Sequence, residues 1–205
     1  MTPPTPHPSA LQSLLKTHTP ATPGPPDIHP YKNLTLQIAH NLRHQHAWTR
    51  IRIHWPSPSP SPSPNTTSPP RPLISGLPPR RLYTHPDEQI ELLQSHRKAG
   101  LSGIPEMKAE REWVLPCSVR EKWTLGRFGE VFDSVGKVPG FGEGSVVEGL
   151  GDGGESEEAE GEEVEGEGNS WRTEQPKRIL MAILDDDSTV VYYIVHDGLV
   201  KPRQN

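Results

Sequence analysis

Two short apolar runs joined by an acidic link constrain this chain most: Ile179-Leu180-Met181-Ala182-Ile183-Leu184, then Val190-Val191-Tyr192-Tyr193-Ile194-Val195. Each run is rich in β-branched or aromatic residues and unbroken by Gly or Pro, so each reads as a strand buried on both faces. The link, Asp185-Asp186-Asp187-Ser188-Thr189, has turn chemistry, and the two strands are predicted to form a hairpin. Three consecutive carboxylates at its tip repel one another. An isolated domain gains nothing from such a cluster, so a basic partner surface is expected to meet it.

The segments ahead of the hairpin alternate in type. Ser9 can cap a short helix over Ala10 to His18, and a second helix is predicted from Tyr31 to Ala47, with Leu34, Ile38 and Leu42 at helical spacing. Thr49 to Trp55 alternates strictly and reads as a strand with one polar face. Leu73 to Tyr83 is predicted to be extended, as one broken strand. Pro86 suits a first helical turn, with Asp87 and Glu88 near its positive end. Ile90, Leu92 and Leu93 are expected on the apolar side of that helix, and Gly100 at its end. Glu112 to Val119 reads as a strand. Thr124 caps the next helix, whose stripe is Leu125, Phe128, Val131, Phe132 and Val135, with Gly136 as its stop.

Composition separates the foldable part from the rest. Of 205 residues, 25 are Pro and 18 Gly, and only 31% are hydrophobic. The Pro and Gly are clustered, so the core is modest. Residues 1–29 are expected to be a Pro-rich arm carrying the short helix. Residues 30–205 are expected to be one α+β domain. It is interrupted by a Ser-Pro linker at 56–70 and a solvated acidic Gly/Glu insert at 137–170, both expected to be disordered. The net charge of −5 hides an asymmetry: Glu143 to Glu167 hold 11 of the 26 acidic residues and no Lys or Arg. The remaining 15 acids face 21 Lys and Arg. That basic balance permits contact with nucleic-acid phosphates; the plainer reading is a mixed-charge, solvated surface. No stretch is long and apolar enough to span a membrane, and the first residues lack the pattern of a secretory signal. Cys117 is alone, which excludes an internal disulfide framework and a Cys-based zinc site and suits a reducing compartment.

Several stretches together resemble the tRNA-intron splicing endonuclease family. Lys177-Arg178 followed by Ile179 to Asp185, the acidic turn and Tyr192-Tyr193 are similar to that family's C-terminal end. Glu112-Trp113-Val114-Leu115-Pro116 and Trp123-Thr124-Leu125-Gly126-Arg127-Phe128 resemble the strand and helix before it. His85-Pro86-Asp87-Glu88-Gln89-Ile90-Glu91-Leu92-Leu93 and His196-Asp197-Gly198 through Asn205 look like the small non-catalytic subunit of the fungal enzyme. The resemblance implies a mixed sheet with flanking helices like the family's catalytic domain. It also implies a place in a heterotetramer that processes intron-containing precursor tRNA. The expected location is the nucleus, or alternatively the cytosolic face of mitochondria.

The family cleaves RNA without a metal or other cofactor, using a Tyr base, a His acid and a Lys that stabilises developing charge. Lys177 stands at the position of that Lys. No His stands near Ala109 to Glu112, and no Tyr occurs between Tyr83 and Tyr192. The chain is therefore expected to have no catalytic residue of its own. Its implied contact with a catalytic subunit is the acidic loop Asp185, Asp186 and Asp187 with the strand Val190, Val191, Tyr192, Tyr193, Ile194 and Val195. Lys177 and Arg178 are candidate RNA contacts. Lys177 also reads, more plainly, as a basic residue at a strand edge. His40, His44 and His46 share one helix but have no acidic or Cys third ligand nearby, so they read as a solvated face rather than a metal site. Two alternatives differ in class: a protein-interaction adaptor with a Pro-rich arm unrelated to RNA, and a nuclease whose acid and base are His85 and Tyr83.

Overall fold

The computed structural model describes residues 7–18, 31–56, 68–103, 105, 107–140, 144–147, 150 and 170–198. Residues 57–67 of the Ser-Pro linker and most of the acidic insert lie outside the described residues. Eleven elements follow in order: α1 (Ala10–His18), α2 (Lys32–His44), β1 (Thr49–His54), β2 (Leu73–Leu77), α3 (Pro86–Lys98), β3 (Glu112–Ser118), α4 (Leu125–Ser134), β4 (Ser145–Val146), α5 (Ser170–Glu174), β5 (Arg178–Leu184) and β6 (Val190–His196). The fold is α+β, with one six-stranded mixed sheet in the order β4-β1-β2-β3-β5-β6. All neighbours are antiparallel except β3 and β5. A parallel pair needs a crossover, and α4 lies within the one joining them.

Side-chain alternation along the strands divides the core in two. On one face Ile51, Ile53, Ile74, Val114 and Ala182 meet Leu36, Ile38 and Leu42 of α2 and Leu14 of α1. On the other, Leu73, Leu115, Cys117, Ile179 and Met181 meet Val131 and Phe132 of α4 and the adjoining Val135. Helices α1, α3 and α4 start at side-chain caps. Ser9 and Gln12 bond reciprocally ahead of α1. Thr124 Oγ1 accepts the Arg127 N–H at 3.3 Å, and His85 Nδ1 accepts that of Asp87 at 3.2 Å.

Several expectations need correction. Helix α2 stops at His44: Ala47 takes a left-handed φ of 53°, and the Trp48 N–H turns back to the Leu42 carbonyl. Strand β2 ends at Leu77, before Pro78 and Pro79, rather than running to Tyr83. The apolar side of α3 is not core. Its one buried residue is Glu88, which pairs with Arg81 at 2.8 Å, while Ile90 is 38% exposed. Leu125 leaves the α4 stripe and is exposed. The segment read as a solvated insert contributes structure at both ends. Ser145 and Val146 pair with β1, Val147 and Leu150 enter the core beside α2, and α5 closes the segment. Strand β6 is not buried on both faces: it stands at the end of the sheet, with Val191, Tyr193 and Ile194 exposed.

Candidate functional site

Strand β6 pairs with β5 along its whole length, from Leu184↔Val190 to Arg178↔His196. Its other edge has no strand against it among the described residues. Alternation sends Val190 and Tyr192 toward α2 and Val195 toward the α4 side. The Tyr192 hydroxyl donates to Asn41 Oδ1 at 2.6 Å, and His46 meets its ring edge-on at 5.1 Å. Burial pushes the Tyr192 phenol far up. The strand is thus anchored from one side, while Val191 at 43%, Tyr193 at 53% and Ile194 at 38% remain exposed. An edge of this kind presents main-chain hydrogen-bonding groups together with apolar side chains, which is what strand addition by another chain uses.

The acidic turn is more self-sufficient than its charge suggests. Asp185 Oδ1 accepts the Asp186 N–H, and Asp187 Oδ1 accepts that of Thr189 at 2.8 Å. The second bond holds the Asp187 carboxyl below its usual range. Ser188 supplies the left-handed residue, φ 71°. Asp186 pairs with Arg120 from the loop after β3, through Nη2 at 2.5 Å and Nε at 3.2 Å. The expectation that the three carboxylates gain nothing within the chain is therefore corrected: two shape the turn and one has an internal counter-ion. Arg120 was not singled out from the sequence, because 66 residues separate it from its partner.

The two candidate RNA contacts point into the protein. Lys177 Nζ donates to the Phe132 carbonyl at 2.7 Å, so the ammonium caps the C-terminal end of α4. Arg178 is 3% exposed and is held by Glu112 and by Glu110 at 3.1 Å. Its assignment as an RNA contact is corrected, because a guanidinium committed to two carboxylates inside the fold cannot reach a phosphate. The network extends further. Arg172 Nη2 donates to Glu112 at 3.1 Å and to the Lys137 carbonyl at 2.7 Å, and Arg81 bonds Glu110 at 2.9 Å. The stretch where the family's His would fall thus holds Glu110 and Glu112, which bind arginines.

The remaining polar groups are placed as follows. The His40 and His44 rings lie 4.4 Å apart, and burial followed by His44 lowers the His40 pKa. No group of three metal-ligating side chains forms among the described residues. Tyr83 lies against His196 at 5.0 Å, and His85 stacks on Trp171 at 5.8 Å. His54 Nε2 meets the fully buried Ser75 Oγ at 2.9 Å, and Ser75 also receives Arg111 Nη2 at 3.1 Å. Ser75 is fully buried and His54 half-buried beside it, so the pair sits at the margin of the core.

Comparison with known proteins adds a family. Residues 37–147 and 162–205 match the family model described as "Sen15 protein". The chain is 41% identical over 173 residues to a Neurospora crassa protein named probable tRNA-splicing endonuclease subunit tsp-1, covering 84% of this chain and 66% of that one. It is 31% identical over 108 residues to the probable tRNA-splicing endonuclease subunit sen15 of Schizosaccharomyces pombe, covering 51% of this chain and 59% of that one. A 29-residue stretch, 14% of this chain, is 59% identical to the Eremothecium gossypii protein named tRNA-splicing endonuclease subunit SEN15, covering 25% of that protein. The chain thus spans somewhat less than two thirds of the length of the first two relatives.

Proposed function

Since the chain belongs to the Sen15 protein family, we propose that it is a structural, non-catalytic subunit of a tRNA-splicing endonuclease. In this reading it supports a catalytic subunit that excises introns from precursor tRNA. The observation that carries the proposal is the open edge of β6, with Val191, Tyr193 and Ile194 exposed beside a strand that is otherwise well anchored. A strand of the catalytic subunit adds to that edge. Main-chain bonds supply affinity, and the acidic turn, meeting Lys or Arg, sets register and partner choice. The remaining subunits complete a heterotetramer, which brings this chain to precursor tRNA in the nucleus.

The engagement of Lys177 with α4 and the absence of His near Ala109 favour a chain without cleavage activity. The test is reconstitution. The chain alone leaves precursor tRNA intact, whereas the complex cuts it. Val191→Lys together with Tyr193→Asp abolishes co-purification with the catalytic subunit and leaves the isolated chain folded. Splice-site cleavage by the isolated chain refutes the non-catalytic role; undiminished co-purification of the double variant refutes the β6 interface.

A further inference from the structure

We infer that α5 is an acid-released clasp: protonation of His196 lifts α5 away from the start of β3 and frees the C-terminal end of the acidic insert, while the rest of the fold holds.

Helix α5 has five residues, too few to stand alone, and none of its described residues belongs to either apolar core. Polar contacts hold it instead. The Trp171 indole N–H donates to Glu91 at 3.1 Å, and the indole stacks on His85 with 16° between planes. Arg172 Nη2 donates to Glu112 at 3.1 Å and to the Lys137 carbonyl at 2.7 Å. Against these bonds stand buried donors with no acceptor among the described residues. They are Nε and Nη1 of Arg172, itself 4% exposed, and the side-chain amide nitrogen of Gln175 just past the helix. Each gives up its bonds to water and gains none in return, a penalty that opening relieves.

His196 meets α5 at this point. Its ring lies 5.0 Å from Tyr83, and its Nε2 is also buried without a partner among the described residues. The charges that bear on it are Arg178 of β5, Arg172 of α5 and His85 ahead of α3. The nearby carboxylates are engaged elsewhere. Glu110 holds Arg81 and Arg178, Glu112 holds Arg172 and Arg178, Glu91 accepts from Trp171, and Asp87 lies 3.6 Å from His85. A neutral imidazole is tolerated in that setting, whereas an imidazolium adds a cation beside two guanidiniums. Burial first, then Arg178, Arg172 and His85, hold the His196 pKa below its ordinary value of 6.5 in the closed form. Opening rehydrates the ring and removes the Arg172 charge, so the open form binds the proton more tightly. Falling pH therefore favours the open form.

The least tied element yields. His196 is fixed in the β5–β6 ladder, opposite Arg178, and Arg178 is held by both Glu110 and Glu112. Arg172 can leave without stranding a buried charge, because Glu112 keeps Arg178 and the released guanidinium goes to water.

The test is backbone NMR relaxation on the full chain, from about pH 7.5 down past the titration of the His196 ring, with the His196 and His85 rings titrated in the same samples. Order parameters across 171–175 are expected to fall from about 0.85 to below about 0.6, with a midpoint that tracks His196, while β3, β5 and β6 stay rigid. His196→Gln is expected to keep 171–175 rigid over the same range. Should that variant not fold, the match of midpoints in the wild-type chain decides alone. Residues 171–175 that stay rigid throughout the His196 titration overturn the inference. So does a midpoint that tracks His85, a loss of order that spreads to β5 and β6, or opening that persists in His196→Gln.

Discussion

Lys177 and Arg178 are consecutive cations with opposite surroundings, and their substitutions separate accordingly. Lys177→Met removes one bond to the Phe132 carbonyl at a helix end, a loss of about 1 kcal/mol. Arg178→Met leaves Glu112, itself 3% exposed, with Arg172 as its remaining partner, and costs about 3–5 kcal/mol. Urea unfolding of the two variants checks the contrast; equal losses contradict it. His54 gives a second residue-level prediction. Burial first, then Arg111 and Arg52, lower its pKa to about 4. Ser75 receives Arg111 and can turn its own proton toward His54 Nε2, so the ring is neutral in the folded chain. A depressed histidine pKa means that the unfolded chain takes up the proton first. The stabilising contribution is complete above about pH 6.5 and is lost as pH falls toward 4, by up to about 3 kcal/mol. In melts across that range, His54→Gln should flatten the pH dependence relative to wild type; parallel curves rule the mechanism out.

Among the elements, β4 carries the clearest prediction. Deleting 152–168 leaves β4 and α5 in place and should barely change stability. Leu150→Ala, by contrast, should cost about 2–5 kcal/mol, since Leu150 is 2% exposed within the core beside α2. Thermal melts of both decide whether this part of the insert is structural. The hairpin β5–β6 was legible because its runs are long, apolar and separated by turn residues. The exposure of Val191 and Tyr193 was not, because a strand awaiting a neighbour has the same composition as one already covered. Strand β4 is two residues inside a Gly/Glu-rich stretch, too short for any periodicity to register. Helix α3 misled differently. Ile90, Leu92 and Leu93 imitate a core stripe, whereas Arg81 and Glu88, 7% and 3% exposed, are the pair drawn inside. The charged network around Glu112 joins residues as far apart as Glu112 and Arg178, and no local pattern announces such pairing. Caps are local, and Thr124 and Ser9 were accordingly readable.

At the scale of the whole molecule, the sheet ends in two strands of unequal length among the described residues: β4, two residues, and β6, seven. Two cores cover its faces, and β6 with the acidic turn occupies the open end. Opposing charges across an interface mostly steer encounter and are screened by salt. Asp186→Ala, which spares the turn bonds of Asp185 and Asp187, should leave the melting temperature of the chain unchanged. It should slow association with the catalytic subunit and reduce its salt sensitivity; surface plasmon resonance at several salt concentrations measures both. An unchanged association rate would make the turn an ordinary hairpin end. At the end of the β5–β6 hairpin away from the turn, the Arg172 guanidinium bonds both the Lys137 carbonyl and Glu112, so the two roots of the acidic stretch are fastened to each other. A loop tied at its base tolerates change in its length: each doubling costs only about 0.6 kcal/mol in closure entropy. Evolution is therefore free to lengthen, shorten or recompose 151–169, provided Arg172 and its two acceptors persist. Residues 151–161, most of the gap in the family match between 147 and 162, fall within that freedom.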